Sequence, residues 1–138
     1  MWTVSYPFRF PYRTVTGDLF PLVMLRVSNP AQPDLSLDVD AYLDSGAQRS
    51  LFNGWRAQTL GLNLLDGETK LYGSTSSSYV EARLHRVNLH HENLGDFELE
   101  VGFSLVQIQR ELLGRDFFNL VQIGFRERQL EYYLNTTP

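Results

Sequence analysis

The sequence predicts an all-β domain with one or two short helices, and three observations lead there. Most apolar residues recur at every second position, which is the period of a strand with one buried face. Turn-forming groups, Thr16-Gly17-Asp18, Asp66-Gly67 and Asn93-Leu94-Gly95-Asp96, punctuate those runs. Only two stretches, one after Asn53 and one after Gly114, read as helical. The chain has 138 residues, 43% hydrophobic and 20% charged, which suits one globular domain over 1–138 with a modest core.

In the first segment, Tyr6, Phe8, Phe10 and Tyr12 alternate with Pro7, Arg9, Pro11 and Arg13. Proline cannot donate to a ladder, so residues 1–13 form an aromatic N-terminal arm or an edge strand. After the turn at Thr16-Gly17-Asp18, the run from Leu19 to Val27 is expected to be buried on both faces. SNPAQPD at 28–34 reads as a loop with two prolines. Leu35, Leu37, Val39, Ala41 and Leu43 then share one strand face, opposite Ser36, Asp38, Asp40 and Tyr42. Asp38 and Asp40 read most simply as a solvated strand face.

Beyond Asp44, Asn53 is expected to cap a short helix carrying Trp55, Ala57 and Leu60 and stopped by Gly61. A hairpin is expected from Glu68 to Leu89 with GSTSSS (73–78) at its tip. Its outgoing arm alternates through Val80, Ala82 and Leu84 and then changes phase to Val87 and Leu89, which predicts a bulge near His85 and Arg86. Phe97, Leu99, Val101 and Phe103 line one face of the next strand. Leu112-Leu113-Gly114 leads into a short helical turn. A last hairpin sets Val121, Ile123 and Phe125 against Leu130, Tyr132 and Leu134.

The formal net charge of -4 and a pI near 5.3 come with no basic run, which argues against a nucleic-acid partner. The chain has no cysteine, so it makes no disulfide and offers no thiolate, as suits a reducing compartment. The longest apolar run, LFPLVML at 19–25, is too short to cross a bilayer. With no basic-then-apolar leader, the expectation is a soluble, cytoplasmic protein without a membrane partner. His85, His90 and His91 lack companions at metal-ligand spacing, so neither a metal nor a cofactor is expected.

Chemistry concentrates at AYLDSGAQRS, 41–50, where Asp44 follows an apolar strand and only small residues come directly after it. Taken alone, Asp-Ser-Gly is ordinary turn composition. Its context adds a serine-rich hairpin tip and a second apolar pair meeting a glycine, Leu112-Leu113-Gly114.

With those motifs in that order, the sequence resembles the retropepsin-like aspartic proteases. The matching strings are YLDSGA (42–47), YGSTSSSY (72–79) and LLGRD (112–116), and the likeness runs from about Leu19 to the C-terminus. DSGAQ and LLGRD look most like the protease domain of the eukaryotic DNA-damage-inducible ubiquitin-adaptor proteins, while GRDFFNLVQIG is similar to the segment after the glycine in retroviral enzymes.

The resemblance implies an acid-protease barrel holding half a site per chain, and an aspartic endopeptidase acting on extended peptides. In such enzymes a water attacks between two carboxyl groups that share one proton. Asp116 has the wrong context to be the second acid, so a homodimer pairing Asp44 with Asp44 is implied. Ser45 would bond across the dimer axis, and Gly46 would admit substrate backbone. Ala47 and Gln48 would begin the cleft floor, with Leu112, Leu113 and Gly114 packed beneath. Gly73, Ser74, Thr75 and Ser76 would belong to a flap closing on the peptide.

The sequence departs from the retroviral pattern in three places. Gln48 replaces an acid, which leaves Arg115 in need of another partner. The flap tip is serine-rich with one glycine. The aromatic arm at 5–12 has no counterpart, and either extends the dimer interface or occupies the cleft. Two other readings stay open: a catalytically inactive dimer of the same fold serving as a peptide-binding module, and a small barrel for an apolar ligand.

Overall fold

Residues 5–73 and 78–137 are described by the structure, a computed structural model. The alternating aromatic segment takes the edge-strand alternative. Strand β1 (Phe8–Pro11) pairs antiparallel with the last strand, β12 (Glu131–Thr136), and lies at the edge of a three-stranded sheet completed by β11 (Val121–Arg126). An edge tolerates Pro11 because one side of the strand needs no donor. Phe10 stacks on Tyr132 with centroids 5.2 Å apart, and Tyr12 is buried, donating its hydroxyl to Glu127 at 2.9 Å. The described arm is therefore held against β12 of its own chain rather than in the Asp44 cleft.

Thr16 and Gly17, at φ 48° and 92°, turn a small hairpin of β2 (Arg13–Val15) and β3 (Asp18–Phe20). The strand after it, β4 (Leu22–Asn29), is not buried on both faces: Val23, Leu25 and Val27 are fully buried, while Met24 and Arg26 face solvent. The apolar run up to Leu25 conceals this alternation because methionine, an apolar residue, occupies the exposed position 24. SNPAQPD is also more ordered than expected. Strand β4 runs to Asn29 and β5 (Gln32–Leu43) begins at Gln32, leaving only Pro30 and Ala31 between them. Asn29 stabilises that reversal, its side-chain oxygen accepting the Ala31 amide at 2.9 Å.

After β6 (Leu51–Asn53) comes helix α1 (Trp55–Thr59), whose N-cap position is taken by Gly54, not Asn53. Asn53 is buried and bonds the backbone of Ile108 instead, accepting from its amide at 2.8 Å and donating to its carbonyl at 3.3 Å. Gly61, at φ 70°, ends the helical stretch. Ala57 and Leu60 enter the core, whereas Trp55 is exposed with Arg56 lying over its ring.

The long hairpin consists of β7 (Glu68–Gly73) and β8 (Tyr79–His91), and β9 (Gly95–Ser104) follows. No bulge occurs at His85 and Arg86: the β8–β9 register is continuous from Ala82↔Ser104 to His91↔Gly95. The phase change is a change of buried face, because β8 pairs with β7 along its first half and with β4 near its end.

Two-residue β10 (Leu112–Leu113) and helix α2 (Arg115–Phe118) complete the elements. The large sheet has the order β4-β5-β10-β6-β9-β8-β7, and the β4–β8 pairing closes it into a barrel. Fully buried Val23, Leu25, Val39, Phe52, Val87, Phe103, Leu113 and Phe117 fill the interior. Among the described residues, no helix is long and apolar enough to cross a membrane.

Candidate active site

The acid loop is fixed by a short strand inserted between its two flanks. Strand β10 runs parallel to β5, with Leu112 beside Tyr42 and Leu113 beside Leu43, while Leu112 also pairs antiparallel with Leu51. At the end of β5 the Asp44 amide donates to the Leu113 carbonyl at 3.0 Å. On the return, the amides of Arg115 and Asp116 donate to the carbonyls of Ala47 and Gln48 at 2.8 and 3.3 Å. The loop is thus gripped at its entry and exit by one stretch of chain.

Within the loop, Asp44 Oδ1 accepts the Gly46 amide at 2.9 Å and the Ala47 amide donates to the Asp44 carbonyl at 3.2 Å. That local turn orients the half-buried carboxyl group, while Ser45 and Gly46 are exposed. Leu113 and Gly114 are buried below. A Cβ on Gly114 would stand 2.7 Å from the Ala47 carbonyl and 2.8 Å from the Arg49 carbonyl carbon. Glycine is needed there to let the two chain segments touch.

A second support involves residues that motif reading did not single out. Buried Ser50 donates its amide and hydroxyl to the Asp116 carboxylate at 2.9 and 2.7 Å, and its hydroxyl accepts the Gly114 amide at 3.0 Å. Asp116 therefore holds the loop's exit rather than acting as an acid beside Asp44. Tyr72 donates its hydroxyl to the Ser50 carbonyl at 2.9 Å, and its ring lies over Gly102, where a Cβ would meet the phenol oxygen at 2.3 Å. Burial, then the nearby Asp116 charge, pushes the Tyr72 phenol up to about 12. In the sequence these residues lie inside the motif strings, Ser50 in AYLDSGAQRS, Tyr72 in YGSTSSSY and Asp116 in LLGRD, with nothing to show that they bond one another. The Arg115 side chain forms no ion pair among the described residues.

Between the loop and the long hairpin lies a groove of about 460 Å³. Gly46, Ala47, Gln48 and Leu112 line one side, and Leu71, Tyr72, Gly73 and Val80 the other. The expected floor residues Ala47 and Gln48 and Gly73, expected in the flap, therefore line one groove. Ser74, Thr75 and Ser76 lie outside the described residues. A separate groove of about 550 Å³, lined by residues including Phe10, Met24, His91 and Tyr132, shares no lining residue with it. Among the described residues, no group of three or more His, Asp or Glu could hold a metal ion.

The family model described as aspartyl protease matches residues 30–117, which span the acid loop, the hairpin and LLGRD. The chain belongs to the aspartyl protease family. Solved structures agree with the barrel of this aspartyl-protease chain. A retropepsin-like aspartic protease from Rickettsia conorii aligns at a TM-score of 0.67 and 18% identity, over 99% of this chain and 97% of that one. The EIAV protease in complex with the inhibitor HBY-793 aligns at 0.54 and 15% identity, over 78% and 92%. At these identities the likeness establishes the retropepsin-like fold. No curated protein matches the chain.

Proposed function

We propose that the chain is an aspartic endopeptidase in which a homodimer brings two Asp44 carboxyl groups together around one water. One carboxylate takes the water's proton while the other, protonated, polarises the scissile carbonyl. Like charges in contact cannot both ionise, so the pair shares a proton. The observation carrying this reading is the two-sided anchoring of the Asp44 loop, by Leu113 at its entry and by Arg115 and Asp116 at its exit, beside a groove. Family membership supports the reaction class.

In this reading Ser45 bonds across the two-fold axis, and exposed Gly46 lets an extended peptide approach. Ala47 and Gln48 form the floor. Gly73, Ser74, Thr75 and Ser76 close over the peptide, and strand-like hydrogen bonds hold it. Leu112, Leu113 and Gly114 support the loop. In the same reading the cysteine-free chain acts in the cytoplasm on protein substrates.

The test pairs sedimentation with digestion of a peptide library. The expected result is a dimer whose cleavage is pepstatin-sensitive and disappears in Asp44→Asn, with the folded circular dichroism spectrum kept. Cleavage that survives Asp44→Asn, or an active monomer, rejects the mechanism.

A further inference from the structure

The groove beside Asp44 carries a charge opposite to that of the whole chain. Acidic residues outnumber basic ones, 16 to 12, yet the groove is lined by Arg49, Lys70 and Arg110 and by no Asp or Glu. Arg49 is partly offset by Glu100 at 3.6 Å, both side chains being about 40% exposed. Lys70, the single lysine of the chain, and Arg110 form no ion pair among the described residues.

Arg110 is also held in position. Its guanidinium carbon lies 4.6 Å from the ring centre of Phe20 and 5.1 Å from that of Tyr42. Phe20 and Tyr42 meet edge to face, with centroids 5.3 Å apart. Aromatic faces hold a guanidinium without using its N–H groups, which leaves the fork free for a carboxylate. The anchor adjoins the reacting region: Tyr42 stands two residues before Asp44 and pairs with Leu112, two residues after Arg110. Lys70 comes from β7, the strand that also supplies Leu71, Tyr72 and Gly73 to the facing side of the groove.

We infer that this groove selects peptides bearing an Asp or Glu side chain, with Arg110 gripping the carboxylate and Lys70 reinforcing it from the β7 side. The inference rests on the proteolytic reading for its placement but concerns recognition, so binding tests it separately from turnover. Exposed Leu71 supplies an apolar surface in the same groove, so the acidic residue is accompanied by an apolar neighbour.

The experiment uses the full chain carrying Asp44→Asn and a positional-scanning peptide library, read by fluorescence anisotropy at low and high salt. Matched peptides differ only by Glu, Gln or Lys at the scanned position. The expected result is about fivefold tighter binding of the Glu peptide than of the Gln peptide at one position, as for a charge pair at an exposed groove. The preference shrinks with salt and is lost in Arg110→Gln/Lys70→Gln. Equal binding of Glu and Gln peptides, a preference for Lys, a preference that survives the double substitution, or no peptide binding at all overturns the inference. Digestion of the same peptides by the unsubstituted chain runs in parallel. A Glu preference in binding without cleavage of any peptide upholds the inference and removes the enzymatic reading.

Discussion

Ser50 presents both its amide and its hydroxyl to one carboxylate, that of Asp116, at 2.9 and 2.7 Å. Because the same hydroxyl accepts the Gly114 amide, these groups join the start of β6 to the start of α2. The junction determines where the chain leaves the acid loop.

Asp116→Ala strips two donors on buried Ser50 of their acceptor. A cost of about 1–3 kcal/mol follows for each buried group left unpaired. Urea denaturation should show a lower midpoint, and Asp116→Asn, which keeps one acceptor oxygen, should lose less. Equal stability of Asp116→Ala and the unsubstituted chain would contradict the clasp.

Gly114→Ala has a different cause. The added methyl meets backbone atoms of Ala47 and Arg49, which cannot swing aside as a side-chain tip does. Overpacking of this kind costs about 1–3 kcal/mol. The displacement also falls on the stretch that receives Asp44, so cleavage should fall further than stability alone requires. The measurement is turnover per folded molecule, and unchanged turnover would deny Gly114 its supporting part.

Acid should weaken the fold through His91. This ring is buried in a T-shaped contact with Phe10, with centroids 5.5 Å apart, and its Nδ1 accepts the Asn93 amide at 3.1 Å. Burial lowers its pKa from 6.5, outweighing the opposing Glu92 charge, and the neighbouring His90 adds to the lowering. The folded chain therefore favours neutral imidazole, and the unfolded chain takes up the proton first as pH falls. The stability from neutral His91 is complete above 6.5 and drains away below it. Denaturant midpoints measured on either side of that value should diverge, and His91→Gln should bring them closer together. An unaltered acid limb in the variant would assign the loss to other groups.

Much of this architecture was legible because strands reveal themselves locally. Alternation located Val39, Ala41 and Leu43, and the glycine turns located the hairpins; the acid loop, the LLG stretch and the helix after it could be read as strings. Exposed Met24 misled the reading of β4 locally, whereas two other misreadings occurred where a residue answers to distant chain. Asn53 has a helix-capping side chain but bonds Ile108, 55 residues away. The phase change near His85 is real, yet it follows from β8 having different neighbours at its two ends, which no local window contains. Asp116 was visible as a letter, while its partner Ser50 lies 66 positions earlier.

The insertion of Leu112 and Leu113 between β5 and β6 has a consequence for biogenesis. As the polypeptide leaves the ribosome, Asp44 emerges well before the two residues that seat it, and β5 and β6 wait with a gap between them. Contacts so distant along the chain form late. A nascent or truncated product that stops short of Leu112 thus contains the aspartate but lacks the strand that aligns it.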